Sequence, residues 1–483
     1  MESKPLTVPP ALAIAQISDA RAIALALLEE WDQQRTVYME TLLQELRRSS
    51  KLEPRDRRFV EELCYGIVKA RYTLKAISEH FLQRGLEHYD RLLRDAVALG
   101  LYQHIYLRTP AHAVVSETVN AFQFLMTQRG ARAQQLQKSS GLLNAVLRRA
   151  TREITHEPVE TAQLGDCETV RVRDAWARIP KLNMPARNVH LHQHLAVKYS
   201  HPPEMIRIWL ERYDEVRVSE MMTWNNSAPP PTYLALRADC DAADFAGRLV
   251  AAGNDVSELL SHRMLELRSS GPIENLPGYA GGEFWVQDVN ARRLSLMMPE
   301  RDAATLLDLC AAPGGKLAGL LDRGSVARAL ACDLSDDKLR LVAENLSRLR
   351  LDAANIRCLV VPNDPDRLKI PETFNQVLVD APCSNTGVLG RRHEARWRFV
   401  PEVLRPLHRL QRRLLSAAFR HLEPSGHLLY TTCSIEPAEN EEAVADFMRQ
   451  ERAARLIAEQ HLLPGEDRGD GGYGAVLERV KAQ

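Results

Sequence analysis

Residues 305–321, TLLDLCAAPGGKLAGLL, decide the fold of the C-terminal half of this chain. The apolar start predicts a strand, Gly314 and Gly315 predict a tight loop, and the apolar residues after them predict a helix. Adjacent glycines let the backbone approach a ligand closely, beside the amide groups of the helix N-terminus. The spacing is neither that of a P-loop nor that of the GxGxxG dinucleotide fingerprint. It favours an adenosine-type cofactor over a purely structural turn.

Short apolar runs alternate with helical patterns around this stretch. The predicted strands are residues 305–308, 326–333, 356–361, 377–380 and 428–432, and helical patterns such as 337–349 and 403–422 separate most of them. This alternation predicts a parallel sheet with helices on both faces. Ligands bind such sheets beyond the carboxyl ends of the strands. There Asp333 is placed to accept hydrogen bonds from ribose hydroxyls, and Asp364, expected to end the third strand, can meet an adenine amino group.

Two of the eight cysteines follow strands at this ligand edge. Cys383 belongs to the run DAPC that starts at Asp380, and Cys433 closes the fifth strand. Because sequential parallel strands are usually neighbours, both thiols are expected over one pocket. A structural zinc pair is the competing interpretation, but the chain contains no CxxC. The cysteines interpreted as packed core residues are Cys64, Cys167, Cys240, Cys332 and Cys358.

A thiolate beside a methyl donor suggests a specific reaction. Carbon 5 of cytosine is a poor nucleophile until a thiolate adds to carbon 6, after which carbon 5 can attack a sulfonium methyl group. Loss of the carbon-5 proton then expels the thiolate. Asp380 lies close enough in sequence to hydrogen-bond the edge of the ring. These residues alone do not decide which of the two cysteines attacks.

The first 150 residues have the pattern of an all-helical domain. Residues 121–152 carry six basic side chains and no acid, which fits either solvated helix faces or a phosphate-binding surface. Residues 151–195 lose the periodicity and are interpreted as a linker or irregular insertion. They contain His190, His192 and His194, for which a polar linker is favoured over a metal site because no fourth ligand has a suitable spacing. Residues 196–275 have a mixed pattern.

The composition is that of an ordinary globular protein: 483 residues with 63 Lys and Arg, 63 Asp and Glu, and 45% apolar residues. It excludes collagen-like and largely disordered classes. Neither a signal peptide nor an apolar run long enough to span a membrane is recognised, so a cytoplasmic protein with reduced cysteines and no membrane contact is expected.

The zero net charge hides a strongly basic segment. Residues 391–421 contain nine arginines and two glutamates, which gives nine minus two, or +7. Trp397 within this segment is placed either to stack on an RNA base or to pack on the surface. The glutamates that follow Cys433 are expected at a solvated helix start: Glu436, Glu439, Glu441 and Glu442.

Three motifs, LDLCAAPGGK, DAPCSNTGVL and YTTCSIEPAENEE, together resemble the Sun-type RNA cytosine-C5 methyltransferases, which use S-adenosylmethionine (AdoMet). The N-terminal runs RDRRFVEELCYGIVKAR, LGLYQHIYL, PAHAVVSETV and GLLNAVLRR are similar to the NusB-like RNA-binding domain of the branch that acts on bacterial 16S ribosomal RNA. The resemblance implies an all-α NusB-like domain over residues 1–150 and a Rossmann-like AdoMet-dependent methyltransferase domain over residues 276–483. A small α+β subdomain over residues 196–275 connects them after the linker.

The resemblance also implies a role for each motif residue. Cys433 corresponds to the family's nucleophile, Cys383 to a residue that assists product release, and Asp380 to the motif carboxylate. Asp333 corresponds to the ribose carboxylate and Asp364 to the adenine-side carboxylate. The cofactor loop corresponds to Cys310, Ala311, Ala312, Pro313, Gly314, Gly315 and Lys316.

Three positions depart from the family pattern. Asn385 stands where Gly or Ala is common, Asn363 where Gly often precedes the adenine-side Asp, and Gly390 removes one Arg from a loop expected to grip RNA. The expected function is AdoMet-dependent methylation of carbon 5 of one 16S rRNA cytosine, unpaired in a loop or flipped out, by a monomer. The alternatives are the same chemistry on tRNA or large-subunit rRNA, and a non-catalytic RNA-binding assembly factor.

Overall fold

The computed structural model describes residues 17–33, 37–50, 52–82, 84–158, 166–173, 175–227, 231–268, 271–351 and 355–480, with the backbone alone for 258–261. The chain forms two compact units. The first contains Met1–Asn226 together with Arg396–Arg398, and the second contains Ser227–Ala395 and Phe399–Gln483. The boundary at Asn226 differs from the predicted domain boundaries, which lie at residues 195/196 and 275/276.

The first unit begins with the predicted helical domain. Its helices are α1 (Ala20–Gln33), α2 (Met39–Ser49), α3 (Pro54–Lys69), α4 (Arg71–Phe81), α5 (Arg91–Ile105), α6 (Ala111–Gln128) and α7 (Ala133–Glu153). The start of α5 is fixed by Asp90, whose carboxylate accepts from the Leu92 amide. The α3 and α5 helices pack closely, since a Cβ at Gly66 would lie 2.0 Å from Cζ of Tyr102. The prediction of an all-helical domain is confirmed for the described residues.

Residues 151–195 are more regular than predicted. They contain β1 (Thr155–Glu157), β2 (Thr169–Val172) and β3 (Ala175–Arg178), which form an antiparallel sheet in the order β1-β3-β2. The prediction of an irregular linker is wrong for these stretches, because strands of three or four residues are too short to show a periodicity. Helices α8 (Leu191–Tyr199), α9 (Pro203–Leu210) and α10 (Glu215–Asn226) follow.

The three alternating histidines lie at the start of α8 and not on a strand. His190 precedes the helix, and in a helix alternate residues do not share a face. His194 is buried with its Nδ1 3.0 Å from the carbonyl of Pro185. Within the described part of the chain, no group of three His, Cys, Asp or Glu side chains is arranged to hold a metal ion.

The second unit contains two sheets. The smaller sheet has the order β5-β6-β4-β7. One helix, α11 (Ala242–Ala251), lies in the connection between β4 and β5. Its strands are β4 (Thr232–Leu236), β5 (Val256–Leu260), β6 (Met264–Leu267) and β7 (Phe284–Val286). All pairings in this sheet are antiparallel. Helix α12 (Val289–Ser295), capped by Asp288, leads from it into the second sheet.

The larger sheet has seven strands in the order β10-β9-β8-β11-β12-β14-β13. They are β8 (Ala304–Asp308), β9 (Val326–Asp333), β10 (Asn355–Val360), β11 (Phe374–Asp380), β12 (Leu422–Thr432), β13 (Ala454–Leu462) and β14 (Gly472–Arg479). The first five pair in parallel, as predicted, whereas β14 pairs antiparallel with both β12 and β13. The two C-terminal strands were not predicted from the sequence.

Helices cover both faces of this sheet. They are α13 (Gly315–Leu321), α14 (Asp336–Arg348), α16 (Leu404–Arg420) and α17 (Glu441–Gln450), whereas most of the short helix α15 (Ala395–Arg398) belongs to the first unit. Leu306 of β8 faces a core shared with α13 and α14, while the next residue, Leu307, faces a second core shared with α16 and α17. This alternation confirms the predicted Rossmann-like layering. No helix in the described ranges is long and apolar enough to cross a membrane.

Candidate active site

The two candidate cysteines lie after neighbouring parallel strands. The register of β11 against β12 sets Asp380 opposite Thr431, so the turns after both strands emerge side by side. The Sγ atoms of Cys383 and Cys433 are 2.9 Å apart, and both thiols are free. The hydrogen bond with Cys433, together with burial, raises the pKa of Cys383 well above its usual value. Cys383 is therefore a protonated thiol at neutral pH.

Asn385, one of the departures from the family pattern, connects the two cysteines. Its Oδ1 accepts from the Cys433 thiol at 3.2 Å, and its Nδ2 donates to the Cys383 carbonyl at 3.1 Å. Its backbone has φ +62°, a left-handed conformation that Asn tolerates better than most residues. The amide side chain thus contacts both members of the thiol pair.

The glycine loop connects the end of β8 to the start of α13. Gly314 has φ +101° and caps the helix, a conformation that favours glycine. The loop is tied to the neighbouring strand, since the Ala311 amide donates to the Cys332 carbonyl at 2.9 Å and the Ala312 amide to Oδ2 of Asp333 at 3.1 Å. Burial raises the pKa of Cys310 well above its usual value, so this loop thiol is not a nucleophile.

Asp333 lies at the end of β9, as its position in the sequence predicted. Its Oδ1 accepts from the Leu334 amide at 2.7 Å and from Lys338 Nζ at 3.0 Å. Leu334 leaves 50% of its surface exposed although it is large and apolar, and it is next to this carboxylate. A carboxylate and an exposed apolar side chain therefore adjoin the glycine loop.

A partly buried ion pair joins the glycine loop to the turn that carries Cys383. Lys316 Nζ lies 2.6 Å from Oδ2 of Asp380, and Thr431 Oγ1 donates to Oδ1 of Asp380 at 2.9 Å. Burial alone would lower the pKa of Lys316, but the Asp380 carboxylate and its hydrogen bond hold it above its usual value. Lys316 is thus a fixed positive charge that also faces the sulfur of Cys433.

Asp308, which the sequence analysis did not single out, belongs to the same cluster. It is the last residue of β8, is 1% exposed, and accepts from the Cys310 amide at 3.2 Å. Burial, and then the charge of Asp380, raise the pKa of Asp308 to about 8. The signal was available in the sequence, because Asp308 ends the first predicted strand as Asp333 ends the second.

Asp364 is not at the strand end where it was predicted. Strand β10 ends at Val360, and Asp364 caps a short 3-10 turn over Pro365–Arg367. Its carboxylate is paired with Arg413 of α16. The prediction that Asp364 ends the third strand is wrong by four residues, because the ladder stops after the Val361 amide, which donates to the Asp333 carbonyl at 2.9 Å, and the next residue, Pro362, has no amide proton to donate.

Several side chains of the basic segment, residues 391–421, make contacts within the protein. Fewer of its arginines are therefore free to contact a ligand than the net charge of the segment predicts. Arg391 is paired with Asp470 at 2.6 Å and with Asp288 at 3.3 Å, and its pKa lies above its usual value because these carboxylates outweigh burial. Trp397 donates from Nε1 to the Val68 carbonyl at 2.7 Å and packs against the core of the first unit. These contacts favour the alternative that Trp397 packs on the protein surface over the one in which it stacks on an RNA base. The exposed arginines of the segment are Arg392, Arg405, Arg409 and Arg420.

Two of the glutamates expected at a solvated helix start are buried. Glu436 is 1% exposed and Glu439 is 0% exposed. Glu439 accepts from the Ser384 amide at 2.8 Å, from Ser434 Oγ at 2.5 Å and from Gln411 Nε2 at 3.1 Å. The expectation of a solvated position is wrong here because these polar partners come from segments distant in sequence.

The sheet with its glycine loop and paired strand ends defines a Rossmann-like methyltransferase domain, and the N-terminal helices define a NusB-type domain. The family described as 16S rRNA methyltransferase RsmB/F matches residues 295–473, and the NusB family matches residues 18–152. Ribosomal RNA small subunit methyltransferase B of Vibrio vulnificus is 33% identical over 447 residues, which cover 91% of this chain and 94% of the relative. The chain belongs to the ribosomal RNA small subunit methyltransferase B family.

A second relative supports this assignment, and two solved structures have a similar fold. The protein of the same name from Vibrio cholerae is 32% identical and covers 89% of this chain and 91% of its own length. The crystal structure of PH0851 has a TM-score of 0.70 at 19% identity and covers 98% of this chain and 100% of its own. NSun6 from Pyrococcus horikoshii, solved with SFG, has a TM-score of 0.51 at 17% identity and covers 58% and 99%. The two structures share the fold.

Gly387→Ala is expected to destabilise the turn that carries Cys383. The Gly387 amide donates to the Cys433 carbonyl at 3.0 Å, and a Cβ at this position would lie 2.4 Å from the Gly471 carbonyl oxygen. Because backbone atoms on both sides must shift, the cost is about 1–3 kcal/mol in the free energy of unfolding, measured by urea denaturation. Gly247→Ala, a helical position with nothing within 4 Å, is the matched control. Equal stability of the two variants would contradict this close packing.

Asp308→Asn is expected to change how stability depends on pH. The folded protein holds a proton on Asp308 up to about pH 8, whereas the unfolded chain releases it near 3.8. Stability from this group is therefore complete below pH 4 and is lost as pH rises toward 8, at up to about 1.4 kcal/mol per pH unit. Urea denaturation at pH 5.5 and 7.5 should show the wild type losing stability relative to Asp308→Asn. Parallel losses in both proteins would show that Asp308 is ionised in the fold.

Proposed function

We propose that this protein transfers a methyl group from AdoMet to carbon 5 of a cytosine in 16S ribosomal RNA, through a covalent bond between Cys433 and carbon 6. The observation that carries the proposal is the thiol pair, 2.9 Å apart, beside the partly buried Lys316–Asp380 ion pair. A lone cysteine packs as a small apolar residue, whereas two free thiols in contact at a polar strand edge are suited to covalent catalysis. Membership of an rRNA methyltransferase family supports the substrate class.

The residues around the glycine loop fit AdoMet. Asp333 offers a carboxylate for the ribose hydroxyls, the half-exposed Leu334 offers an apolar surface for the adenine, and Gly314 and Gly315 leave room for the backbone to approach the ligand. Asp364, with Arg413 as its ion-pair partner, is the adenine-side carboxylate of this proposal. When bound, AdoMet supplies an electrophilic sulfonium methyl group.

Cys433 is the attacking residue and Cys383 the proton donor. Cys383 is held as a thiol by its raised pKa, so it does not compete as a nucleophile. The ammonium group of Lys316 attracts negative charge on the Cys433 sulfur, which adds to carbon 6 of the cytosine. Asp380, held by Lys316 and Thr431, hydrogen-bonds the edge of the ring. Carbon 5 then takes the methyl group.

Product release breaks the bond between Cys433 and carbon 6 of the cytosine. Water takes the proton from carbon 5, the electron pair of the carbon–hydrogen bond restores the ring double bond, and the electron pair of the carbon–sulfur bond returns to Cys433. Cys383 is placed to donate its thiol proton to that sulfur as it leaves. Because carbon 6 must be reached from outside the ring plane, the target cytosine is unpaired or flipped out of its stack.

Cys433→Ala is expected to abolish methylation, because no other group occupies the position from which carbon 6 is attacked. The measurement is incorporation of labelled methyl groups from AdoMet into naked 16S rRNA, with Cys358→Ala, an exposed thiol elsewhere on the sheet, as the control. The control should retain wild-type activity. Undiminished methylation by Cys433→Ala would exclude it as the nucleophile.

Cys383→Ala is expected to accumulate a covalent protein–RNA adduct. The first bond still forms, but the departing sulfur lacks its proton donor, so release slows. Denaturing gel electrophoresis with labelled rRNA and AdoMet should show a slow-migrating band that is absent from the Cys383→Ala, Cys433→Ala double variant. A Cys383→Ala protein that turns over normally and traps no RNA would remove the release role.

A further inference from the structure

A buried carboxylate lies beneath the thiol pair and contacts the turns of both cysteines. Ser384, the residue after Cys383, donates to Glu439 from its amide at 2.8 Å and also from its hydroxyl. Ser434, the residue after Cys433, donates its hydroxyl at 2.5 Å. These bonds converge on one side chain from the ends of two neighbouring strands.

Hydrogen-bond donors surround the side chain of Glu439. Gln411 of α16 adds a fourth donor at 3.1 Å, so backbone, hydroxyl and amide groups all donate to its two oxygens. Its backbone carbonyl also accepts from the Tyr430 hydroxyl at 2.7 Å, which fixes the segment against β12. A fully buried carboxylate with four donors is held rigidly.

The charge of Glu439 also acts on Cys383. The hydrogen bond with Cys433, burial, the charge of Cys433 and the negative charge of Glu439 all raise the pKa of Cys383. A smaller contribution, the hydrogen bond from the backbone amide of Asn385, lowers it. Tyr430 faces the same thiol. The carboxylate therefore favours the protonated form of the residue assigned above as proton donor.

We propose that Glu439 is a positioning residue that fixes the separation of the Cys383 and Cys433 sulfurs. Its carboxylate is a hydrogen-bond acceptor that the two cysteine turns share, so losing it weakens the connection between them, although the bond from the Gly387 amide to the Cys433 carbonyl remains. Glu439 does not touch the reacting atoms. The catalytic meaning of this role rests on the proposed function, but the separation of the sulfurs is a property of the folded protein alone.

The test compares Glu439→Gln with Glu442→Gln, the same substitution three residues along at an exposed position. In Glu439→Gln an NH2 group replaces one carboxylate oxygen. If the remaining oxygen accepts from the Ser384 and Ser434 hydroxyls, the NH2 group faces the Ser384 amide and Gln411 Nε2 and cannot accept from either. Dibromobimane becomes fluorescent when it bridges two nearby thiols, and peptide mapping identifies the Cys383–Cys433 bridge. The bridging rate should fall about tenfold in Glu439→Gln, the loss expected for one hydrogen bond to a charged group, and stay at the wild-type value in Glu442→Gln.

A second readout separates the charge from a merely structural role. The pH at which Cys383 becomes half-alkylated by iodoacetamide should fall in Glu439→Gln and not in Glu442→Gln, because the negative charge that favours the thiol is gone. Unchanged bridging together with an unchanged alkylation profile would overturn the proposal. If Glu439→Gln shows no cooperative unfolding, the Ser384→Ala, Ser434→Ala double variant replaces it, and wild-type bridging in that variant would overturn the proposal equally.

Failure of the proposed function has a different signature. A wild-type protein that bridges its thiols rapidly but transfers no methyl group would remove the proposed reaction and leave the role of Glu439 in place. A wild-type protein that methylates rRNA while Glu439→Gln matches it in kcat, bridging and alkylation would remove the role of Glu439 alone.

Discussion

The parallel pairing of β11 with β12 is the constraint on which the rest of the site depends. Because its register sets Asp380 opposite Thr431, the turns that follow the two strands emerge at the same height, and residues fifty positions apart place their sulfurs 2.9 Å from each other. A shift of one residue in this pairing would turn Asp380 to the opposite face of the sheet. Gly387 and Glu439 then hold the two turns together above the strands.

The charged groups around Lys316 are the second feature that shapes the site. Lys316 is paired with Asp380, while Asp308 lies in the same region without a cation of its own and keeps its proton. Of the two carboxylates near one ammonium group, Asp380 thus forms the ion pair with Lys316, and Asp308 keeps its proton. This division leaves Lys316 positive opposite Cys433, where negative charge has to develop during the proposed attack.

The five parallel strands could be predicted because each is an apolar run bounded by polar residues, and the glycine loop could be predicted because its spacing is specific. The two antiparallel strands β13 and β14 could not, since charged residues such as Arg455 and Glu478 interrupt their apolar pattern and pair across the strands. Local sequence also could not place Trp397 or Glu439. Their burial depends on partners such as Val68 and Ser384, which lie far away along the chain.

The central claim is that Cys433, and not Cys383, forms the bond to the cytosine. Substituting 5-fluorocytidine into the rRNA blocks release, because fluorine cannot leave carbon 5 as a proton does, so the wild-type enzyme is trapped with its natural nucleophile attached. Proteolysis and mass spectrometry of the trapped complex then identify the modified peptide. If Cys433 is the nucleophile, the nucleotide is attached to Cys433 and Cys383 is unmodified. A nucleotide on Cys383, or methylation without any trapped cysteine, would contradict it.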